Sequence, residues 1–232
     1  MLLSLSLFYP CYNEEKNVES AIINALEILP KVANTYEIII VNDGSCDRTK
    51  KLAENIAVAH KEVKIINHLQ NKGYGAALKT GFANSQYEWV FFTDGDLQFD
   101  LNQIEEFLPF TNAYQVIIGY RPHRAEGEVR ALNARLFRLF VDALFRLHVK
   151  DIDCAFKLIK NEAVKKISLE SNGAMISAEL LYKLKKIGYK FKQLPVKHYP
   201  RKHGKPTGSN LKVIIKAGKE MVVSYFRTFC HK

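Results

Sequence analysis

LSLSLFYPCYNEEKNVESAIINALEILPKVANTYEIIIVNDGSCD, residues 3–47, decides how this chain is built. An apolar run at 3–9 breaks at Pro10 and passes through Asn13 into a helix-like segment at 14–29. A second apolar run at 37–41 then ends in Asn42-Asp43-Gly44-Ser45. Strand, helix and strand in quick succession form the repeating unit of a parallel sheet, because parallel neighbours need a crossover between them. The rhythm continues: 63–67, 88–93 and 115–119 read as strands, and 47–59, 75–84 and 101–108 as helices, with Asn13, Ser45 and Asp100 as caps. A further strand, helix and strand follow at 155–159, 176–187 and 190–198. The order predicts an α/β fold, a mainly parallel twisted sheet flanked by helices. Ligands of such sheets bind where the strands end, so the residues after each run are the ones to inspect.

The chain has 232 residues, 47% of them hydrophobic, which suffices for one main domain with a single large core. Cys11, Cys46, Cys154 and Cys230 are scattered without a CxxC pair, which predicts reduced thiols, a cytoplasmic setting and no zinc site. The first ten residues lack a basic n-region and read as a strand rather than a signal peptide. The net charge of +10 is uneven: residues 182–232 hold 14 Lys and Arg against the single acid Glu220. A nucleic-acid binder would not collect its excess in one terminal quarter, and no recognition motif or stacking platform accompanies it, so no nucleic-acid partner is expected. An anionic membrane surface fits better. No run approaches the ~20 apolar residues of a spanning helix, so the chain is expected to lie on a membrane, on its cytoplasmic face.

Each strand end carries polar chemistry. Pro10-Cys11-Tyr12-Asn13-Glu14-Glu15 makes a strand-to-helix turn whose N–H groups suit a nucleotide, although a capped acidic first turn explains it equally well. Asp43 lies where a carboxylate can accept hydrogen bonds from a base or ribose, while turn chemistry accounts for Asn42, Gly44 and Ser45. Asn71-Lys72-Gly73-Tyr74-Gly75-Ala76-Ala77-Leu78 imitates a dinucleotide fingerprint but has Leu78 in place of its third glycine and follows the third strand instead of the first. Its glycines allow close backbone approach, and Lys72 or Lys79 could face a phosphate. The fourth strand runs into Asp94-Gly95-Asp96-Leu97-Gln98. Two carboxylates one residue apart at a buried strand end offer hard oxygens for Mg2+ or Mn2+, which would bridge a diphosphate. After the fifth strand, Arg121, with Arg130 nearby, could offset anionic charge through paired hydrogen bonds.

Taken in order, Pro10-x-Tyr12-Asn13-Glu14-Glu15, Asn42-Asp43-Gly44-Ser45-x-Asp47-x-Thr49, Asn71-Lys72-Gly73-x-Gly75-x-Ala77, Asp94-x-Asp96-x-Gln98, Arg121, Asp151-x-x-Cys154-x-Phe156-Lys157 and Tyr199-Pro200-Arg201-x-x-Gly204 resemble family 2 glycosyltransferases of the dolichyl/polyprenyl-phosphate sugar transferase type. The likeness spans roughly residues 4–210, and the ordered set is specific even though each piece is weak. It implies a GT-A, Rossmann-like catalytic domain over 1–210 and a basic amphipathic tail over 211–232. It also implies inverting transfer of a hexose from a nucleotide-diphosphate sugar, of the GDP-mannose or UDP-glucose type, to a polyprenyl or dolichyl phosphate. In that family the segments matching Pro10, Tyr12, Glu14 and Asp43 hold the nucleoside, those matching Asp94, Asp96 and Gln98 surround the metal, and those matching Arg121, Arg130 and Arg201 handle phosphates; Lys72 joins the expected donor-binding set as a residue that could face a phosphate. Two positions depart from the family's usual pattern: Asn42 stands where an aspartate is common, and Ala155 where glycine is.

The expected chemistry is that metal and Arg121 stabilise the departing nucleotide while an acceptor phosphate oxygen attacks the anomeric carbon. That acceptor is already anionic, so Asp151 orients rather than deprotonates, and Arg130 and Arg201 receive the acceptor phosphate. Two alternatives stay open. A hydroxyl acceptor on a glycan or small molecule would make Asp151 or Asp153 a base, and a non-catalytic module would bind a nucleotide-sugar without turnover. The basic helix at 128–147 reads first as a solvated face and otherwise as a membrane or acceptor contact, while the tail suits a membrane surface or a membrane-anchoring partner protein and equally an ordinary helix packed on the domain.

Overall fold

The computed structural model of the chain describes residues 1–122, Leu139, Asp142, 145–173 and 175–203. The helix expected at 128–147 and the tail at 211–232 therefore lie almost wholly outside the described residues, as do Arg130 and Gly204. The described elements run β1 (Leu2–Cys11), α1 (Val18–Val32), β2 (Ala33–Asn42), α2 (Thr49–Ala59), β3 (Val63–Asn67), α3 (Tyr74–Asn84), β4 (Trp89–Phe92), a 3-10 helix (Leu101–Phe110), β5 (Val116–Tyr120), β6 (Lys157–Lys160), α4 (Asn161–Lys165), α5 (Ile176–Lys186) and β7 (Phe191–Pro195). Among the described residues no helix is long and apolar enough to cross a membrane.

The strands form one seven-stranded sheet in the order β3-β2-β1-β4-β6-β5-β7. β1, β2, β3 and β4 are mutually parallel, β7 is parallel to β5, and β6 runs antiparallel to both β4 and β5. The period of two sorts side chains to the two faces. Leu5, Leu7, Ile38, Ile40 and Phe91 join the core beneath α1, α2 and the 3-10 helix, while Phe8, Ile39, Val41, Val90 and Phe92 join the core beneath α3 and α5. Gly81 lets α3 lie directly on β1, since a Cβ there would stand 2.4 Å from the Phe8 ring. That close packing fixes where α3 begins, and with it the loop before it.

Antiparallel β6 shapes the site. Because it enters the sheet from the edge at which β1, β2, β4 and β5 end, residues just before it share that edge with residues just after them. Asp151 is thereby brought beside Arg121 although 30 positions separate them.

Two expected caps prove to be cross-loop ties. Asn13 takes a left-handed conformation, φ 55°, and its Oδ1 accepts from the Cys46 amide, while Ser45 Oγ accepts from the Asn13 amide. Asp47, not Ser45, serves the start of α2, its Oδ1 accepting from the Thr49 amide at 2.9 Å. The 101–108 expectation holds in place but the element is a 3-10 helix, begun by Asp100, whose side chain accepts from the Asn102 amide.

Candidate functional site

The described candidate residues lie at the edge where the parallel strands end: Pro10 in the last two residues of β1, Tyr12 and Glu14 after it, Asp43 after β2, Lys72 after β3, Asp94, Asp96 and Gln98 after β4, Arg121 after β5, Arg201 after β7, and Asp151 ahead of antiparallel β6. Gly95 brings the β4 and β1 ends into contact, since a Cβ on it would stand 2.9 Å from Cys11 Sγ. The Cys11 thiol consequently sits among carboxylates; burial first, then Glu14, Asp94 and Asp96, push its ionisation far above the usual thiol range. It is a packing group here.

Asp96 is buried and Asp94 partly buried. Burial, then the Asp96 charge, push the Asp94 carboxyl up to about 7 against the lowering effect of a hydrogen bond from Tyr74. Tyr74 Oη donates to Asp94 Oδ1 at 3.1 Å. Asp96 is likewise raised, by burial above all, with Arg201 opposing. Its Oδ1 accepts from the Gln98 amide at 3.2 Å and its Oδ2 from Arg201 Nη1 at 3.4 Å. The same guanidinium bonds Glu14 Oε1, and Glu14 Oε2 accepts from Asn17 Nδ2 at 2.6 Å. Gln98 exchanges two bonds with Tyr199, donating from Nε2 to its carbonyl and accepting the Tyr199 amide on its own. The segment bearing Arg201 is thus laid across the β4 end.

Among the described residues no group of three or more His, Cys, Asp or Glu side chains could hold a metal ion by itself. Two buried, mutually repelling carboxylates of hard oxygen are the partial set that Mg2+ or Mn2+ completes with phosphate oxygens and water. The donor chemistry therefore fits such an ion.

The other acids are engaged by the protein. Asp43 accepts the Lys72 amide at 2.9 Å on Oδ1 and the Gly73 amide at 2.9 Å on Oδ2, and pairs with His68 Nδ1 at 2.6 Å. It ties the glycine loop to the β2 end. Lys72 reaches that tie through its backbone, and its side chain is exposed. Lys79, a candidate for a phosphate, instead donates to the Glu170 carbonyl and to Asn172 Oδ1 at 2.6 Å. Asn42 explains one departure from the family's pattern, for it both donates to Asn67 Oδ1 and accepts the Ser45 amide, which an aspartate could not do.

Arg121 and Asp151 form a two-pronged buried pair, Nε to Oδ2 at 2.7 Å and Nη2 to Oδ1 at 3.1 Å, with side chains only 8% and 4% exposed. Lys157, wholly buried one strand away, donates from Nζ to the carbonyls of Ile152 and Cys154 and lies 5.4 Å from the Phe92 ring centroid. Burial holds its ionisation below the usual lysine value. The ammonium shapes the turn from which Asp151 reaches Arg121.

The structure thus gathers Glu14, Asp96, Gln98 and Arg201 into one hydrogen-bonded network and Arg121 with Asp151 into a second, with Asp94 beside the first and bonded by Tyr74. Tyr12 stays exposed at the rim and Pro10 half-buried beside it. Sequence reasoning assigned no part to Tyr74, His68, Lys157 or Glu179. A lysine inside the apolar run Ala155-Phe156-Lys157-Leu158-Ile159 was a legible signal, since such a side chain is seldom buried without a purpose. The bonds of Tyr74 and Glu179 join distant segments and leave no local trace.

The model of the family described as "Glycosyl transferase family 2" matches residues 6–168. A dolichyl-phosphate beta-glucosyltransferase of Homo sapiens is 32% identical over 200 residues, 77% of this chain and 62% of that protein. One of Trichomonas vaginalis is 31% identical over 175 residues, 67% of this chain and 51% of that protein. The chain therefore spans about half to two thirds of the length of these curated relatives. Among solved structures, glucosyl-3-phosphoglycerate synthase from Mycobacterium tuberculosis, in complex with Mn2+, UDP and glucosyl-3-phosphoglycerate, superposes with a TM-score of 0.70 at 19% identity, covering 97% of this chain and 79% of that one. At that identity the likeness concerns the fold, which is of the GT-A type.

Proposed function

The chain belongs to glycosyl transferase family 2, and from that membership we propose that it transfers a hexose, with inversion, from a nucleotide-diphosphate sugar to a polyprenyl or dolichyl phosphate at a membrane surface. The observation that carries the reading is the convergence, at one edge of the sheet, of the neighbouring Asp94 and Asp96 carboxylates, both pushed up by burial, with two held guanidinium groups, of which Arg201 bonds Asp96. The names of the Homo sapiens and Trichomonas vaginalis relatives support the acceptor class.

Asp94 and Asp96, with Gln98 beside them, would hold Mg2+ or Mn2+, which when bound supplies positive charge for the diphosphate leaving group. The turn at Pro10, Tyr12 and Glu14 and the loop that Asp43 ties at Lys72 frame the nucleotide. Arg121, aligned by Asp151, offers its guanidinium to phosphate oxygens as charge develops on the departing nucleotide. Arg201, between Glu14 and Asp96, stands at the border of donor and acceptor halves, and Arg130 is assigned to the acceptor phosphate with it. An acceptor phosphate oxygen needs no deprotonation, and the geometry of Asp151 agrees. A carboxylate bound at both oxygens by a guanidinium is stabilised in its charged form and is a poor proton acceptor. A hydroxyl acceptor is for that reason the weaker reading. Residues 1–210 would make up the catalytic domain, and the basic tail would meet anionic lipid or an anchoring partner.

The test is a donor panel, GDP-mannose and UDP-glucose, with polyprenyl phosphate in Mn2+, Mg2+ or chelator. Transfer is expected from one donor and is lost in Asp96→Ala. A folded Asp96→Ala protein with full transfer would overturn the metal site, and absence of transfer to any lipid phosphate would overturn the acceptor.

A further inference from the structure

Tyr74 occupies an unusual position. It is the first residue of α3, flanked by Gly73 at φ 99° and by Gly75, and both glycines lie against the backbone at 171–173. A Cβ on Gly73 would stand 2.6 Å from the Asn172 carbonyl oxygen, and one on Gly75 would stand 2.7 Å from both Asn172 C and the Ser171 carbonyl oxygen. The Gly75 amide donates to the Asn172 carbonyl at 2.9 Å, so this segment also caps the helix start. The segment is itself braced. Glu179 accepts the Glu170 and Ser171 amides, each at 2.8 Å, Lys183 joins Glu179 at 2.7 Å, and Lys79 bonds Asn172 Oδ1. On the other side, Asp43 holds the Lys72 and Gly73 amides. The backbone on both sides of Tyr74 is therefore fixed, and its hydroxyl donates to Asp94 Oδ1.

We propose that Tyr74 is a positioning residue for Asp94: its hydroxyl, carried on a turn gripped by the 171–173 backbone, fixes one carboxylate oxygen and leaves the other for the divalent cation that comes with the diphosphate. This rests on the reading of Asp94 and Asp96 as cation ligands. A carboxylate held by one oxygen loses rotational freedom before the ion arrives, and such outer contacts tune affinity without touching the ion. The two glycines are then required because the gripping backbone leaves no room for side chains beside Tyr74. A dinucleotide-type phosphate loop would have left the N–H groups free, whereas here they are taken by Asp43 and Asn172.

The experiment is calorimetric titration of UDP into wild-type and Tyr74→Phe protein, each in Mn2+ and in chelator, with thermal melts of both. Wild type is expected to gain affinity from Mn2+. Tyr74→Phe is expected to match it in chelator and to bind about fivefold more weakly in Mn2+, the size of one lost hydrogen bond. An equal loss in both conditions would mean the ring merely packs, and no loss would mean the hydroxyl is idle; either overturns the proposal. If wild type gains nothing from Mn2+, the cation reading of Asp94 and Asp96 fails and takes this inference with it. Gly75→Ala, which keeps the hydroxyl but pushes the turn off 171–173, guards against a misfolded first variant. It should lose the Mn2+-supported part selectively, and a folded Gly75→Ala protein that keeps that part in full would overturn the grip.

Discussion

Replacing Asp151 with asparagine separates positioning from proton transfer. In the native pair the carboxylate takes Nε and Nη2 of Arg121 at 2.7 and 3.1 Å, and its Oδ2 also accepts the Arg121 amide at 3.3 Å. An asparagine keeps one oxygen as an acceptor and turns an NH2 group toward the guanidinium, so one charge-assisted bond is lost, about 1.5–3 kcal/mol. Removing the carboxylate altogether, as in Asp151→Ala, breaks a buried ion pair whose guanidinium is only 8% exposed and is expected to cost about 3–5 kcal/mol. Stability should therefore fall in the order wild type, Asn, Ala, measured by guanidinium chloride unfolding. If Arg121 acts on the leaving group as proposed, its guanidinium must be aimed, and kcat should fall about ten- to a hundredfold in the asparagine variant, corresponding to about 1.4–2.7 kcal/mol of barrier. Donor KM should change far less. The decisive readout is the pH dependence of kcat/KM. If Asp151 only aligns Arg121, the acidic limb survives in Asp151→Asn; if it is a base, that limb disappears with the carboxyl group. Loss of the limb, or an Asn variant within twofold of wild type in both rate and stability, would refute the positioning argument.

Two further predictions concern the frame. Gly81→Ala places a Cβ 2.4–2.6 Å from three carbons of the Phe8 ring, which is itself stacked on Phe92 at 5.4 Å and has nowhere to go; a loss of about 1–3 kcal/mol is expected from overpacking, and a denaturation midpoint equal to wild type would contradict the packing. For Glu179, burial works to raise the carboxyl, but the Lys183 ammonium and the Ser171 and Glu170 N–H groups outweigh it and hold it below its ordinary value. A carboxyl lowered on folding contributes stability above its unfolded-state value and loses that contribution as pH falls through its folded value. Glu179→Gln should therefore be less stable than wild type at neutral pH, with the gap closing progressively below about pH 5; a gap that stays constant into strong acid would sink the assignment.

Most of the fold was legible because it rests on local periodicity. The β3 expectation coincides with the observed strand, Val63–Asn67, and the runs at 37–41 and 115–119 fall within or beside β2 and β5. Direction was not legible. The run at 155–159 looks the same whether a strand is parallel or antiparallel, and only the closure of the sheet sets β6 against β4 and β5. The caps failed for a related reason. Asn13 and Ser45 have the residue types of helix caps, but they bond to each other's loops across more than 30 positions, and local sequence does not record such a partner.

The same blindness explains which acids could be singled out from sequence and which could not. Glu14, Asp43, Asp47, Asp94, Asp96 and Asp151 all stand at the ligand edge of the sheet, and as residue types they are interchangeable. The structure sorts them by what already answers their charge. Asp43 and Asp47 are held by backbone N–H groups at both oxygens, and Asp151 by a guanidinium. Glu14 shares Arg201 with Asp96. Asp94 is bonded by the neutral Tyr74 phenol, and burial with the neighbouring Asp96 pushes it up to about 7 although the Tyr74 bond and the Arg121 and Lys157 charges pull the other way. A carboxylate whose surroundings favour its neutral form is the kind of group that stability alone would not retain, which makes it a strong candidate for binding a ligand that brings its own cation. The spacing Asp94-x-Asp96 pointed to the same place, and the arrangement adds that the charges of Asp43, Asp47 and Asp151 are already answered by the protein's own groups.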